Sequence, residues 1–208
     1  ASAANYVLAE SGNQTETTAT ITAREVTVTI TPNGGTYGSV VAAAAELSGA
    51  VKGENVPVTL TYTGNGYNDT AVPVNAGSYT VTASIANSNY TLTGNTTADF
   101  VITPKAVTVT GITAKDKVYD GTKNADISSV TFDNVTLNRG TDYTVTASFD
   151  DAGVGNGKSI TATVTLTEQA SKNYALKHSR FMTTGSITKA AAPDLAKDTF
   201  FLILNGYK

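Results

Sequence analysis

Cysteine and tryptophan are absent from this 208-residue chain, and histidine occurs once, at His178. Without thiols there is no disulfide staple, no thiolate metal site and no cysteine nucleophile. One imidazole allows at most one Ser-His-acid arrangement. Charge is scarce as well: 15% of residues are charged and the net charge is -3, against a usual charged share of about a quarter. No basic excess exists to hold a phosphate backbone, so nucleic acid is not an expected partner. No stretch approaches the roughly 18 apolar residues of a membrane span, and no charged-then-apolar leader opens the sequence. Hydrophobic residues nonetheless reach 40%, enough to build a core.

What the chain has in abundance is branching at Cβ: 37 Thr, 20 Val and 9 Ile. Such side chains are restricted in a helix and fit the pleated surface of a strand. Eighteen Gly and sixteen Asn supply turns. Apolar residues alternate with polar ones at Val56, Val58, Leu60 and Tyr62, at Tyr79, Val81, Ala83 and Ile85, at Tyr143, Val145, Ala147 and Phe149, and at Ile160, Ala162, Val164 and Leu166. A period of two with one wet face describes antiparallel sheets packed face to face. Turn clusters at Gly64-Asn65-Gly66, Asn75-Ala76-Gly77 and Gly153 to Gly157 punctuate these runs. Val40 to Leu47, with four consecutive alanines, breaks the pattern and reads as a short helix capped by Ser39 and ended by Gly49; an edge strand is the other reading.

The chain repeats itself. Asn5-Tyr6-Val7-Leu8, Asn89-Tyr90-Thr91-Leu92 and Asn173-Tyr174-Ala175-Leu176 share the word Asn-Tyr-x-Leu at a constant spacing of 84 residues. Each is followed by a strand ending in a similar tripeptide: Ile21-Thr22-Ala23, Ile102-Thr103-Pro104 and Ile187-Thr188-Lys189. A second word, Tyr-Thr-Val-Thr-Ala-Ser, stands at Tyr79 to Ser84 and at Tyr143 to Ser148, and is read as another shared strand. A fixed period marks an array. The units read as 1–24, the closing hairpin of a preceding truncated unit; 25–105, a first complete β module; 106–189, a second; and 190–208, an Ala-Pro linker with Phe200 to Leu204 as the start of a further unit. The expected architecture is all-β, each module a small antiparallel β-sandwich of immunoglobulin-like kind. A β-grasp-like sheet carrying the Val40 to Leu47 helix is the runner-up for the first module.

Val118-Tyr119-Asp120-Gly121-Thr122 resembles the signature of the YDG repeat family. The run from Asn75-Ala76-Gly77-Ser78-Tyr79-Thr80-Val81 through Asn89-Tyr90 to Val101-Ile102-Thr103-Pro104 resembles the MBG repeat family. Residues 5 to 24 look like the end of another YDG-type unit. The first module departs from the pattern at Tyr37-Gly38-Ser39, which lacks the acidic residue, and in its alanine run. The resemblance implies tandem modules of large bacterial surface and haemagglutinin-like exported proteins, hence an extracellular or cell-surface location. It brings no catalytic residue.

Four local features invite a functional reading. His178 lies between Lys177 and Arg180 at an expected hairpin tip and reads as a solvated turn residue. Asp150-Asp151-Ala152-Gly153-Val154-Gly155-Asn156-Gly157 offers oxygen ligands, yet its spacing fits no calcium loop and a Gly-rich hairpin explains it. In Tyr119-Asp120-Gly121-Thr122, turn chemistry accounts for each residue: Asp bonds the backbone ahead, Gly takes positive φ, and Tyr is expected to pack under the loop. Tyr67, on a polar loop with Asn68 and Asp69, is the best-placed ring for a sugar. Two carboxylates would suffice for a glycosidase, but units of this size leave little chain for a cleft. No catalytic, metal or cofactor-binding residue is assigned, no cofactor is expected, and the ligand-binding residues are unknown. The expected role is a rigid spacer or stalk whose partners are neighbouring repeat modules of the same chain. The alternative is that the modules themselves bind host or environmental glycan or protein through loops or strand edges.

Overall fold

A computed structural model of the chain describes Gly12 and residues 17–39 and 42–191. The first series of strands is β1 (Arg24–Thr31), β2 (Gly35–Thr36), β3 (Ala44–Ser48), β4 (Val58–Gly64), β5 (Tyr67–Asp69), β6 (Gly77–Ile85), β7 (Tyr90–Asn95) and β8 (Thr97–Thr103). They form a three-stranded sheet, β3-β1-β7, and a five-stranded sheet, β2-β8-β6-β4-β5. The second series is β9 (Lys105–Val107), β10 (Val109–Ala114), β11 (Lys117–Val118), β12 (Ile127–Phe132), β13 (Tyr143–Phe149), β14 (Gly155–Leu166), the short helix α1 (Glu168–Ser171), β15 (Tyr174–Leu176) and β16 (Arg180–Thr188). Its sheets are β9 with β15, β10 with β12, and the four-stranded β11-β16-β14-β13. The fold is all-β and sandwich-type. No described helix is long and apolar enough to cross a membrane.

The two series repeat one plan. β1 runs parallel to β7, with Arg24 opposite Tyr90, and β9 runs parallel to β15, with Lys105 opposite Tyr174. The Asn-Tyr-x-Leu words at Asn89 and Asn173 therefore lead into strands that close a series onto its own first strand. β1 also pairs antiparallel with β3, as β10 does with β12. Each series ends in a strand whose last residues receive a short parallel partner: Gly35 and Thr36 lie opposite Ile102 and Thr103, and Lys117 and Val118 opposite Ile187 and Thr188.

Three expectations change here. The run through Ala44 and Leu47 is strand β3, not a helix, and the β-grasp alternative loses its helix with it; Val40 and Val41 lie outside the described residues. A helix of that length is marginal on its own, whereas the edge of β1 offers a ladder and Leu47 a place against Val26 and Tyr90. Ser39 caps a turn instead, its hydroxyl donating to the Thr36 carbonyl and accepting from the Thr36 amide. The words at Tyr79 and Tyr143 are not equivalent. β6 lies between β8 and β4, whereas β13 is the edge of its sheet, so the counterpart of β6 is β14. Tyr79 to Ile85 and Ile160 to Leu166 even share one burial sequence. Of the terminal readings, the closing hairpin at 1–24 falls outside the described residues except for Gly12 and 17–24, and the strand at Phe200 to Leu204 falls outside them altogether. Ile21, whose counterparts Ile102 and Ile187 are buried, is 98% exposed.

Contacts group the chain into two compact units. Unit 1 comprises residues up to 33, 42–72 and 80–100. Val26, Val56 and Tyr90 form its buried cluster with Leu47, Ile85 and Leu92 against them. Tyr62 and Phe100 meet edge to face at 5.9 Å between ring centroids. Unit 2 comprises 34–41, 73–79 and the chain from 101 on. One of its clusters gathers Val107, Val109, Leu137, Tyr143 and Val164; the other gathers Ile127, Phe149, Ile160, Ala162 and Ile187. In both units the alternating side chains read from sequence point inward. No buried polar side chain among the described residues lacks a partner.

Candidate binding loops

The Tyr-Asp-Gly-Thr segment follows β11 and is a turn built around a lysine. Asp120 Oδ1 accepts from the Thr122 amide and hydroxyl, each at 2.9 Å, and Gly121 takes a φ of 77°. Lys117 Nζ sits 2.7 Å from Asp120 Oδ1 and donates to the carbonyls of Thr122 and Asn124 at 2.9 and 3.0 Å. Its ammonium also lies over the Phe149 ring at 5.9 Å. Lys117 and the two Thr122 hydrogen bonds pull the Asp120 carboxyl down to about 2. Asp and Gly play the turn roles read from sequence, but Tyr119 does not pack under the loop: it is 46% exposed. It is Lys117 that bridges the turn, its ammonium donating to the Thr122 carbonyl and hydroxyl and to the Asn124 carbonyl. Lys117 escaped the sequence reading, although its spacing three residues before an Asp is a signal for a local ion pair.

The acidic Gly-rich loop has its own cation. Lys158 Nζ lies 2.5 Å from Asp151 Oδ2 and 4.0 Å from Asp150 Oδ1. Asp151 Oδ1 accepts from the Gly153 amide at 2.7 Å, and Lys158 first, then this bond, hold its carboxyl below the ordinary value. The oxygens that a calcium ion would need are engaged by a lysine that sequence spacing placed seven residues away.

Tyr67 opens β5 after an Asn65-Gly66 turn, whose φ values of 50° and 75° are the left-handed pair a tight hairpin requires. Its hydroxyl donates to the Ala71 carbonyl at 2.9 Å, and Asp69 Oδ1 accepts from the Ala71 amide at 3.0 Å. The amides of Ala71 and Thr70 lower the Asp69 carboxyl. The ring is thus braced across the loop base, half-buried, with Asn68 and Asp69 exposed beside it. His178 is exposed on the connection from β15 to β16, as its flanking cations implied. Among the described residues no three His, Asp or Glu side chains gather as a metal site would require.

The tyrosines of the Asn-Tyr-x-Leu words do separate jobs. Tyr90 is buried; its hydroxyl donates to Glu54 at 2.5 Å and accepts from the Val51 amide at 3.1 Å, and the Glu54 bond pushes its pKa up. Tyr174 is half-buried and its pKa is raised first by burial, then by Tyr37.

Comparison with known proteins adds three findings. No curated protein matches the chain in sequence. Among solved structures it is similar to three N-terminal domains of the Highly Immunogenic Outer Capsid protein (Hoc) of bacteriophage RB49, at 9% identity over 80% of this chain and 71% of that one, with a TM-score of 0.28. That likeness is too slight to argue from. Family models match residues 36–106 and 103–181. The chain carries an MBG domain followed by a YDG domain, in tandem.

Proposed function

We propose that the chain is a pair of structural modules in a bacterial surface protein, spacing other parts of that protein and carrying load between them. MBG and YDG domains suggest a surface protein, exposed outside the cell. The observation that carries the spacer reading is how each series holds its first strand. β1 is paired on one side with β3 and on the other with β7, so drawing it out breaks two ladders together. In the second series, β9 is held by β15 and the continuing β10 by β12. Strands secured on both sides slow forced unfolding, which is governed by the unfolding rate. In this reading the partners are neighbouring modules, and no substrate is turned over.

The second reading, adhesion to glycan or protein, is favoured by one feature: the Tyr67 ring braced on a polar hairpin. A glycan and matrix-protein binding panel with the whole chain separates the two. The spacer reading expects no binding above background. Binding that Tyr67→Ala abolishes would replace it with adhesion.

A further inference from the structure

Within unit 2, Asn173 and Tyr174 are gripped in three ways. The Tyr174 ring meets Tyr37 edge to face, with centroids 5.2 Å apart. The Asn173 side chain donates from Nδ2 to Asn75 Oδ1 at 3.1 Å and accepts at Oδ1 from the Ala76 amide at 2.8 Å. The backbone of the word runs parallel to Lys105–Val107, the residues that continue from β8. A tyrosine after β2, an asparagine loop before β6 and the chain leaving β8 together make a receptor for an Asn-Tyr-x-Leu word.

The same three parts recur around β11, β14 and β16. Tyr119 follows β11 as Tyr37 follows β2, and the amide of each donates to a final-strand threonine carbonyl, Thr188 or Thr103, at 2.8 Å. Tyr79 and Ile160 open matched burial runs, and counting back four residues from each lands on Asn75 and on Asn156. Gly157 then stands in the place of Ala76 and offers the same amide. Lys189 to Ala191 leave β16 where Lys105–Val107 leave β8. Here the parts face solvent: Tyr119, Asn156, Gly157 and residues 189–191 are all exposed.

We propose that this end of unit 2 is a docking surface for the Asn5-Tyr6-Val7-Leu8 word of a second copy of the chain. Tyr6 would pack against Tyr119, the Asn5 amide would bridge Asn156 and Gly157, and the word would run alongside residues 189–191. Asn5 to Leu8 lie outside the described residues and enter by sequence alone, as the one remaining copy of the word that fills the equivalent receptor. Two different surfaces meet, so the association is heterologous, head to tail. One ring pair, two hydrogen bonds and a short ladder are far less than a standard interface, which places the dissociation constant in the range of ~1 mM. The inference does not depend on the spacer reading, since an adhesive array could be joined in the same way.

The test is sedimentation velocity of the whole chain from low concentration up to ~2 mM, with amide NMR shifts followed over the same range. The proposal expects association that rises with concentration and shifts at Tyr119, Asn156 and Gly157. Tyr119→Ala and Tyr6→Ala should each weaken it at least tenfold, while Tyr119→Phe, which keeps the ring, should retain it. Because the shift map is read on the unaltered chain, a folding defect in a variant cannot obscure the result. Absence of shifts at those three residues, or association that survives Tyr119→Ala, would overturn it.

Discussion

Lys105 and Tyr174 stand opposite each other in a parallel ladder, with the Lys105 amide donating to the Asn173 carbonyl at 2.9 Å. The same relation holds between Arg24 and Tyr90, where the Arg24 amide donates to the Asn89 carbonyl at 2.8 Å. The recurrence of the word at Asn89 and Asn173, 84 residues apart, is thereby explained by one structural task, closure of each series onto its first strand.

That closure depends on close approach at Gly94, at the end of its β1 partnership. A Cβ there would meet the Val28 carbonyl oxygen at 2.6 Å, and its φ is 88°. Gly121, at a φ of 77°, has nothing within 4 Å of the same added atom. Gly121→Ala is expected to cost about 1–2 kcal/mol, the strain of the left-handed backbone alone. Gly94→Ala adds a backbone clash in a packed ladder and is expected to cost at least ~3 kcal/mol. Urea unfolding of the two variants checks the order; equal losses would show that Gly94 is not closely approached.

Lys117 organises the Tyr-Asp-Gly-Thr turn through two carbonyls as well as a carboxylate. Lys117→Met keeps much of the stem and removes these bonds, and should destabilise unit 2 by about 2 kcal/mol, as hydrogen bonds to a charged group do. Chemical denaturation measures it. A change within ~0.5 kcal/mol, the usual range for a surface substitution, would mean that the lysine is only a solvated neighbour.

The Asp120 carboxyl titrates at about 2 in the folded chain, against an ordinary value of 3.8. A depressed pKa means that the folded state favours the ionised form, so its stabilising contribution is complete above the ordinary value. It is lost as pH falls through the folded one. The Thr122 amide resonance should therefore hold steady down to pH ~4 and move with a midpoint near 2. Lys117→Met should raise that midpoint, because Lys117 is the largest cause of the shift. A midpoint near 4 in the unaltered chain would show that the turn does not hold the carboxylate.

Alternation made most strands legible, because burying one face of a pleat imposes a period of two whatever the partner. The tight hairpin at Asn65-Gly66 was equally plain, since few residues accept positive φ in succession. Pairing was harder to read. Tyr79 to Ser84 and Tyr143 to Ser148 share six residues, yet occupy a central and an edge strand, because Thr and Val suit either place and partner identity lies far along the chain. The alanine run misled for a related reason: Ala favours a helix in isolation, but the open edge of β1 decided its conformation. Of the loop features, turn chemistry revealed Asp120 and Gly121. Of the lysines that hold the loops, Lys117 stood near enough to Asp120 to be paired by spacing, whereas Lys158 meets Asp151 only when β14 folds back beside it.

Pulling the chain from its two ends in a single-molecule force experiment tests most directly whether these are load-bearing modules. With β1 secured on both sides, and β9 and β10 each held by a partner of its own, the account predicts two discrete unfolding events, one per compact unit. Thr27→Pro, which deprives β1 of a backbone donor, should weaken only the event that belongs to unit 1. Smooth extension at low force without resolved events would contradict it.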